Sequence, residues 1–255
     1  MNSGTNNRFT NNVIRNNANL HSGDEDGNVM SNGWFKAGIA LQNINGCMID
    51  SNQIDNNDYH VFNFNSSYYN GSGWEPIHKM FAPVSITTGG SGTVRIKDNI
   101  VSNNHTWSDF LDDDYGNSEK YRFSFSQEHF NLIGGGIAVL GDNGGVEIRS
   151  NIIESNAMEL YTKFSNWRDW RTSVYPAMIT WGLISSGTDH TDTVRVKSNT
   201  ISDNTFRWRG HWDGSYEHDI YALGIGPLMT GNYNMGTYNY VMEIDSNLVE
   251  NNTLT

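Results

Sequence analysis

The sequence predicts an all-β solenoid, a fold in which short strands from successive turns of the chain stack on one another. Three observations predict it. The chain is rich in turn-forming residues, with 35 asparagines and 26 glycines among its 255 residues, and both types are unfavourable inside helices. One motif recurs at intervals of about 48 residues, which is typical of a repeat architecture. Within each copy apolar residues alternate with polar ones over a few positions, as in a short half-buried strand.

Composition and charge exclude several classes of protein. The 28 Asp and Glu residues outnumber the 16 Lys and Arg residues, and the formal net charge of −12 argues against a nucleic-acid partner. No apolar run approaches the ~20 residues of a spanning helix, so membrane insertion is not expected. The single cysteine, Cys47, excludes an internal disulfide framework. Stability must therefore come from a packed core and from hydrogen bonds.

Two columns of asparagine define the repeat. Five copies of the motif span residues 47–57, 94–104, 146–156, 194–204 and 242–252, and a degenerate sixth spans residues 7–17. The first column contains Asn12, Asn52, Asn99, Asn151, Asn199 and Asn247. The second column contains Asn17, Asn57, Asn104, Asn156, Asn204 and Asn252. An asparagine amide has both a donor and an acceptor, so identical residues on successive layers can bond to one another. The columns therefore predict two asparagine ladders at corners, where asparagine can adopt left-handed backbone angles.

Each layer is predicted to contain three strands. The first is a mostly apolar tetrad before the motif, at residues 38–41, 83–86, 136–139, 177–180 and 223–226. The second ends near the first asparagine column, and its inward residues are Phe9, Ile49, Ile96, Ile148, Val196 and Ile244. The third lies between the columns, and its inward residues are Ile14, Ile54, Val101, Ile153, Ile201 and Val249. Because β-branched residues recur in register, these positions are expected to form one continuous core.

Three short strands per coil, stacked in register, describe an all-β, single-stranded, right-handed parallel β-helix of about five coils. The repeat resembles that of the pectate-lyase-like superfamily, whose right-handed β-helix occurs in polysaccharide lyases, polygalacturonases, phage tailspikes and surface adhesins. The resemblance covers nearly the whole chain, so residues 1–255 are expected to form a single domain. It is specific for fold and much less so for activity. A β-propeller is disfavoured because each blade needs four antiparallel strands.

The rest of each repeat is expected to form long loops on one edge. This surplus follows the second asparagine column in every copy, so the loops of successive layers should lie side by side. Of the 31 aromatic residues, 23 fall in the last four of these segments, from Tyr59 to Tyr221. So much aromatic area either forms a satellite core beneath the loops or provides a surface for sugar rings or a protein partner.

Two of these segments interleave tryptophan with arginine, at residues 167–171 and 207–212. Together with neighbouring aromatic residues they supply the candidate carbohydrate- or partner-binding residues Trp107, Tyr115, Trp167, Arg168, Trp170, Arg171, Trp208, Arg209 and Trp212. Such a pattern also occurs in single-stranded nucleic-acid channels, but the acidic total opposes that function here. An acidic polysaccharide fits the pattern better, and cation–π packing between neighbouring loops is the structural alternative.

No catalytic residue is assigned. The resemblance implies paired carboxylates for a hydrolase, or a Lys or Arg base with calcium for a lyase, and no motif for either is present. No cofactor is expected, although the acidic run Asp112, Asp113 and Asp114 could hold a calcium ion through its oxygen atoms. A solvated loop tip explains the same run.

The two ends of the chain are expected to be uncapped. The chain begins inside one copy of the motif and stops shortly after another, with no amphipathic helix before or after. Uncapped ends of a β-helix expose unpaired strand edges, so either the chain is a fragment of a longer solenoid or copies stack head to tail into a homo-oligomer or filament. The leading expectation is an extracellular or cell- or virion-surface structural or adhesive protein, with itself and polysaccharide as partners. A polysaccharide-active enzyme or a tailspike-like glycan-binding protein is the alternative.

Overall fold

The computed structural model describes residues 5–21, 38–62, 67–69, 74–76, 78–80, 82–89, 92–111, 129–133, 135–142, 145–163, 171–175, 178–182, 193–211, 218–220, 224–227 and 241–255. Every regular element within these ranges is a β-strand. The strands stack in parallel between successive repeats, so the described part of the chain is a β-solenoid. One short antiparallel hairpin, β7 (Ser67–Tyr69) with β8 (Trp74–Pro76), lies outside the parallel sheets.

The parallel strands form five sheets, numbered 1 to 5 in the order in which the chain visits them within one layer. Sheet 1 contains the start of β4 (Ile39–Asp50), then β10 (Val84–Gly89), β15 (Ile137–Asp142), β20 (Ile179–Gly182) and β25 (Ile225–Pro227). Sheet 2 contains β1 (Thr5–Thr10), the end of β4, then β11 (Val94–Lys97), β16 (Val146–Arg149), β21 (Thr193–Lys197) and β26 (Val241–Asp245). Because β4 belongs to both, these two sheets are continuous.

Sheets 3 to 5 complete each layer. Sheet 3 contains β2 (Val13–Arg15), β5 (Gln53–Asp55), β12 (Ile100–Ser102), β17 (Ile152–Glu154), β22 (Thr200–Ser202) and β27 (Leu248–Glu250). Sheet 4 contains β3 (Ala18–His21), β6 (Asp58–Phe62), β13 (His105–Leu111), β18 (Ala157–Lys163), β23 (Thr205–His211) and β28 (Thr253–Leu254). Sheet 5 contains β9 (His78–Met80), β14 (His129–Ile133), β19 (Arg171–Tyr175) and β24 (His218–Ile220).

The strand count differs from the sequence prediction. Sheets 1 to 3 are the three predicted strands, but the chain also forms sheet 4 directly after the second asparagine column and sheet 5 before it returns to sheet 1. Part of the predicted loop surplus is therefore strand, and the described layers have five strand positions where three were expected. No residue type occurs more than twice in the column at the start of sheet 4, so the repeat pattern does not reveal it; the column contains Ala18, Asp58, His105, Ala157, Thr205 and Thr253.

The core lies between the sheets and follows the predicted columns. In the interior layers the inward isoleucine and valine residues of sheets 2 and 3 are completely buried, as at Ile148 and Ile153. Sheet 1 packs directly against sheet 3. Gly136 directly precedes β15 of sheet 1, and a Cβ atom added there would lie only 2.6 Å from Cγ2 of Ile153 on β17 of sheet 3. Burial raises the pKa of the Cys47 thiol, in the same core, to about 12.

Both asparagine ladders form as predicted. In each ladder the backbone N–H and the Nδ2 group of one asparagine donate to Oδ1 of the asparagine in the next layer. For Asn99 and Asn151 these two bonds are 3.0 Å and 2.9 Å long. The same Nδ2 group also donates to a strand carbonyl of the layer before, as Asn151 does to Ile96 O at 3.0 Å. The amides of the interior layers are buried, so the ladders satisfy polar groups that would otherwise be costly inside the core.

The corner geometry corrects one expectation. The residue with left-handed backbone angles is not the ladder asparagine but the residue directly before it, with φ between 52° and 58° at all twelve corners. These residues are Asn11, Asn16, Ser51, Asn56, Asp98, Asn103, Ser150, Ser155, Ser198, Asp203, Ser246 and Asn251. Asn and Asp tolerate this conformation better than most residues because their short side chains bond locally. The left-handed residue therefore directly precedes the ladder asparagine, and the side chain of the asparagine itself points inward.

Candidate functional site

The outward face of sheet 2 carries ion pairs that connect neighbouring layers. Lys97 Nζ lies 3.1 Å from Asp50 Oδ2, and Arg95 Nε lies 3.4 Å from Glu147 Oε2. A hydrogen bond from Ser51, supported by Lys97, lowers the pKa of Asp50. The hydrogen bond to Asp50 raises the pKa of Lys97 in turn. All of these groups are in contact with solvent, so the pairs contribute little stability and mainly set the charge pattern along the solenoid.

The charge alternates in sign along one column of this face. Arg95, Glu147, Arg195 and Glu243 occupy the same register position in four successive layers. Glu243 Oε2 lies 2.6 Å from Lys197 Nζ and 3.1 Å from Arg195 Nε. Hydrogen bonds from Lys197 and then from Arg195 lower the pKa of Glu243. The last layer therefore continues the alternation with an acidic residue.

A second polar group lies on sheet 4, close to the start of the segments that contain the aromatic residues. His105 Nδ1 lies 3.4 Å from Asp58 Oδ1, and His105 Nε2 lies 3.9 Å from Glu159 Oε1. Arg207 Nη1 donates to Glu159 Oε1 at 3.0 Å. These four side chains come from four successive layers and all are partly exposed. An imidazole, a guanidinium and two carboxylates on one sheet face could bind the hydroxyl and carboxyl groups of a sugar.

Sequence reasoning missed this cluster, although a signal for it exists. Asp58 and His105 come directly after the second-column asparagine of their layers, while Glu159 and Arg207 come three residues after it. Extending the strand pattern past that asparagine would have aligned them on one sheet.

The structure places four of the nine candidate binding residues on strands. Trp107 lies on β13 in register with Glu159, and Trp208 and Arg209 lie on β23 in register with Leu160 and Tyr161. Arg171 begins β19 on sheet 5. Tyr115, Trp167, Arg168, Trp170 and Trp212 lie outside the described residues, as do the candidate calcium ligands Asp112, Asp113 and Asp114. Trp107 thus shares a sheet 4 column with Glu159 and Arg207 of the charged cluster, whereas Trp208 lies in the adjacent column and Arg171 belongs to the neighbouring sheet.

Two aromatic residues of the predicted loop segments belong to the core. Tyr59 and Phe206 occupy an inward column of sheet 4 and are 2% and 0% exposed, and Thr106 and Met158 in the same column are also buried. Burial raises the pKa of Tyr59 well above its usual range. For these two residues the core interpretation of the aromatic segments is confirmed.

The last layer, formed by β25, β26, β27 and β28, exposes apolar side chains on its sheet 2, sheet 3 and sheet 4 strands at positions that interior layers bury. Ile244 is 51% exposed and Val249 is 47% exposed, whereas Ile148 and Ile153 in the same columns are completely buried. Leu254, at the end of the sheet 4 column, is 49% exposed. These residues expose apolar side chains on three sheets at one end of the described solenoid, and exposed apolar surface is a feature of many interaction sites.

The first layer, formed by β1, β2 and β3, presents a different surface. Phe9 and Ile14 are only partly buried, and Val13 is 60% exposed. A cavity of about 400 Å³ opens beside them and is bounded on its other side by Ile39 and Leu41 of β4. Within the described ranges this layer has no sheet 1 strand, and the cavity lies where one would stack.

Comparisons with protein-family models, with curated proteins and with solved structures found no match. Among the described residues no group of three or more His, Cys, Asp or Glu side chains is arranged to hold a metal ion. Within the same ranges no helix is long and apolar enough to cross a membrane.

Proposed function

We propose that the protein is a non-enzymatic structural or adhesive β-solenoid that works outside the cell or at a cell or virion surface. Its copies assemble end to end into a rod or filament. The proposal includes the finer fold assignment, a right-handed helix of about five coils related to the pectate-lyase-like superfamily. Parallel strands joined through a crossover within one sheet are right-handed in almost all proteins, which supports this hand.

The observation that carries the proposal is the exposure of the last layer. Ile244 and Val249 are about half exposed in columns whose interior members are completely buried. Stacking another layer on this end would remove these side chains from water and would pair the strand edges below them. A contact that joins two different ends does not close on itself and so generates a filament.

Negative-stain microscopy and light scattering of the purified chain at several concentrations test the proposal. Rods whose mass grows with concentration are expected. Val249→Asp places a charge on the apolar end and should abolish the rods, whereas Ile152→Asp, at an outward position of an interior layer, should leave them intact. Circular dichroism checks that both variants fold. A single-subunit mass for the unaltered chain at every concentration would contradict the proposal.

A glycan-directed function is the second candidate, because Trp107 is in register with Glu159 of the charged cluster on sheet 4. In this version the exposed face binds an acidic polysaccharide, or as a lyase or hydrolase cleaves it, with calcium held by Asp112, Asp113 and Asp114. Binding and cleavage of acidic polysaccharides, measured with and without a chelator, test it. Arg207→Ala should weaken binding, while Arg149→Ala on sheet 2 serves as the matched control. Equal binding by the two variants would exclude the sheet 4 face.

A further inference from the structure

We propose that the last layer of one copy binds the first layer of a second copy in a single orientation and register, with Glu243 facing Arg8 and Glu250 facing Arg15. This inference rests on the proposed end-to-end assembly and specifies its polarity. The occupant of the apolar end is thus a second copy of this chain.

The ladders give each end a different hydrogen-bonding character. Every interior ladder asparagine donates from its backbone N–H toward the next layer and accepts at Oδ1 from the layer before. At the last layer no acceptor for the backbone N–H groups of Asn247 and Asn252 is found among the described residues. At the first layer the described residues contain no donor to Oδ1 of Asn12 or Asn17. One end therefore offers donors and the other offers the matching acceptors, as in a ladder cut between two rungs.

The charges of the two end layers are also complementary. Residues 5–21 contain Arg8 and Arg15 and no acidic residue, whereas residues 241–255 contain Glu243, Asp245 and Glu250 and no Lys or Arg. Contact between unlike ends brings opposite charges together. Contact between two like ends would place arginine against arginine or carboxylate against carboxylate, which is unfavourable. The charges therefore select stacking between unlike ends.

The register follows from the columns that already connect successive layers. Arg8 and Glu243 belong to one outward column of sheet 2, and Arg15 and Glu250 belong to one outward column of sheet 3. A second copy that continues the ladders places Arg8 after Glu243 and so extends the alternation of sign along sheet 2. Within its own chain Arg8 is in register with Met48, which carries no charge. In this column the acidic neighbour of Arg8 is therefore Glu243 of the second copy.

The apolar side chains match in the same register. Ile244 faces Phe9 and Val249 faces Ile14, so inward positions meet inward positions. Phe9 and Ile14 form one wall of the cavity at the first layer. In this arrangement Val249 of the second copy packs against that wall. The contact thus continues the core of one solenoid into the next.

Disulfide trapping between two variants of the chain tests the orientation. Val13→Cys and Leu248→Cys replace exposed residues in the same outward column of sheet 3, and neighbouring parallel strands bring such positions to about 5 Å, within the range of a disulfide. Cys47 is 4% exposed and should not compete. Under mild oxidation an equimolar mixture should give a cross-linked dimer, with at least a tenfold excess over either variant alone.

Val241→Cys is the matched control, because it is also exposed on the last layer but begins the sheet 2 strand. Mixed with Val13→Cys it should give no dimer. Cross-linked dimers formed by one variant alone would overturn the inferred orientation but not end-to-end assembly. Rods that form without cross-links in the mixture would have the same meaning. If the unaltered chain forms no rods, the proposed function and this inference both fail.

Charge reversal provides an independent readout. Arg15→Glu or Glu250→Arg alone should raise the concentration needed for assembly at least several-fold, because each places like charges in contact. A chain carrying both substitutions restores opposite charges and should assemble almost as well as the unaltered protein. Glu154→Arg, in the same column of an interior layer, should have no effect. Failure of the double variant to recover would overturn the Glu250 to Arg15 pairing.

Discussion

Replacing Asn151 with alanine measures how much one rung of a ladder stabilises the fold. Oδ1 of Asn151 accepts from the backbone N–H and the Nδ2 group of Asn99, and its own Nδ2 group donates to Ile96 O and to Asn199 Oδ1. Alanine leaves at least the backbone N–H of Asn99 and the carbonyl of Ile96 without these partners inside the core. A buried polar group left unpaired costs about 1–3 kcal/mol, so the free energy of unfolding should fall by about 2–6 kcal/mol.

Asn12→Ala is the matched control, because Asn12 is the exposed first member of the same ladder. Its side chain donates to Asn52 Oδ1 at 2.8 Å, and Asn52 Oδ1 keeps the backbone N–H of residue 12 after the change. The effect should stay within about 0.5 kcal/mol.

Urea unfolding followed by both circular dichroism and tryptophan fluorescence compares the two ladder variants. Both probes are needed because repeat proteins can lose cooperativity between layers. Equal destabilisation by Asn151→Ala and Asn12→Ala would refute the account of the ladder as a buried, fully paired network.

Ile153→Asn should cost several kcal/mol in urea unfolding because it buries an unpaired amide, whereas Ile152→Asn, on the outward face, should cost about 0.5 kcal/mol or less; equal costs would mean that the inward register is wrong. Tyr59→Phe should leave the melting temperature unchanged or higher, because the buried hydroxyl has no hydrogen-bond partner among the described residues, and a clear decrease would reveal one. Cys47 should react with a thiol reagent only after unfolding, since burial raises its pKa to about 12, and rapid labelling of the folded chain would contradict its position. The bonds that lower the pKa of Glu243 stabilise the fold above its unfolded pKa of 4.5, and this stabilisation is lost as the pH falls through the lowered folded pKa. The melting temperature of Glu243→Gln should therefore be slightly below that of the unaltered chain at about pH 6 and equal to it at about pH 2. A difference in melting temperature that grows as the pH falls would contradict this reasoning.

The sequence predicts sheets 1 to 3 because their columns repeat one residue type or one shape. Ile96, Ile148 and Val196 stack as β-branched residues, and Asn99 and Asn151 stack as asparagines, so the period alone aligns them. The left-handed corner residue was assigned one position late, because the ladder asparagine is itself a type that tolerates such angles, whereas the residue before it is a serine at five of the twelve corners. Only the side-chain direction required by the ladder distinguishes the two.

Sheet 4 could not be predicted in this way because its buried column changes residue type at every layer. Tyr59, Thr106, Met158 and Phe206 fill the same inward position with side chains of very different size and polarity. Each layer fills this position with a different side chain, so a comparison of the repeats does not detect the column. The charged cluster on the outer face of this sheet was missed because the strand pattern was not extended past the second asparagine column, while most of the candidate aromatic residues lie outside the described ranges.

The ladder rungs are separated by 40, 47, 52, 48 and 48 residues, yet their hydrogen bonds have nearly the same length. The entropy lost when a chain segment is closed into a loop grows only with the logarithm of its length, so a segment of 52 residues costs only about 0.2 kcal/mol more than one of 40. Insertions and deletions between rungs are therefore almost neutral for folding. The segments between layers can diverge, exchange or acquire new binding surfaces while the scaffold that carries them stays unchanged.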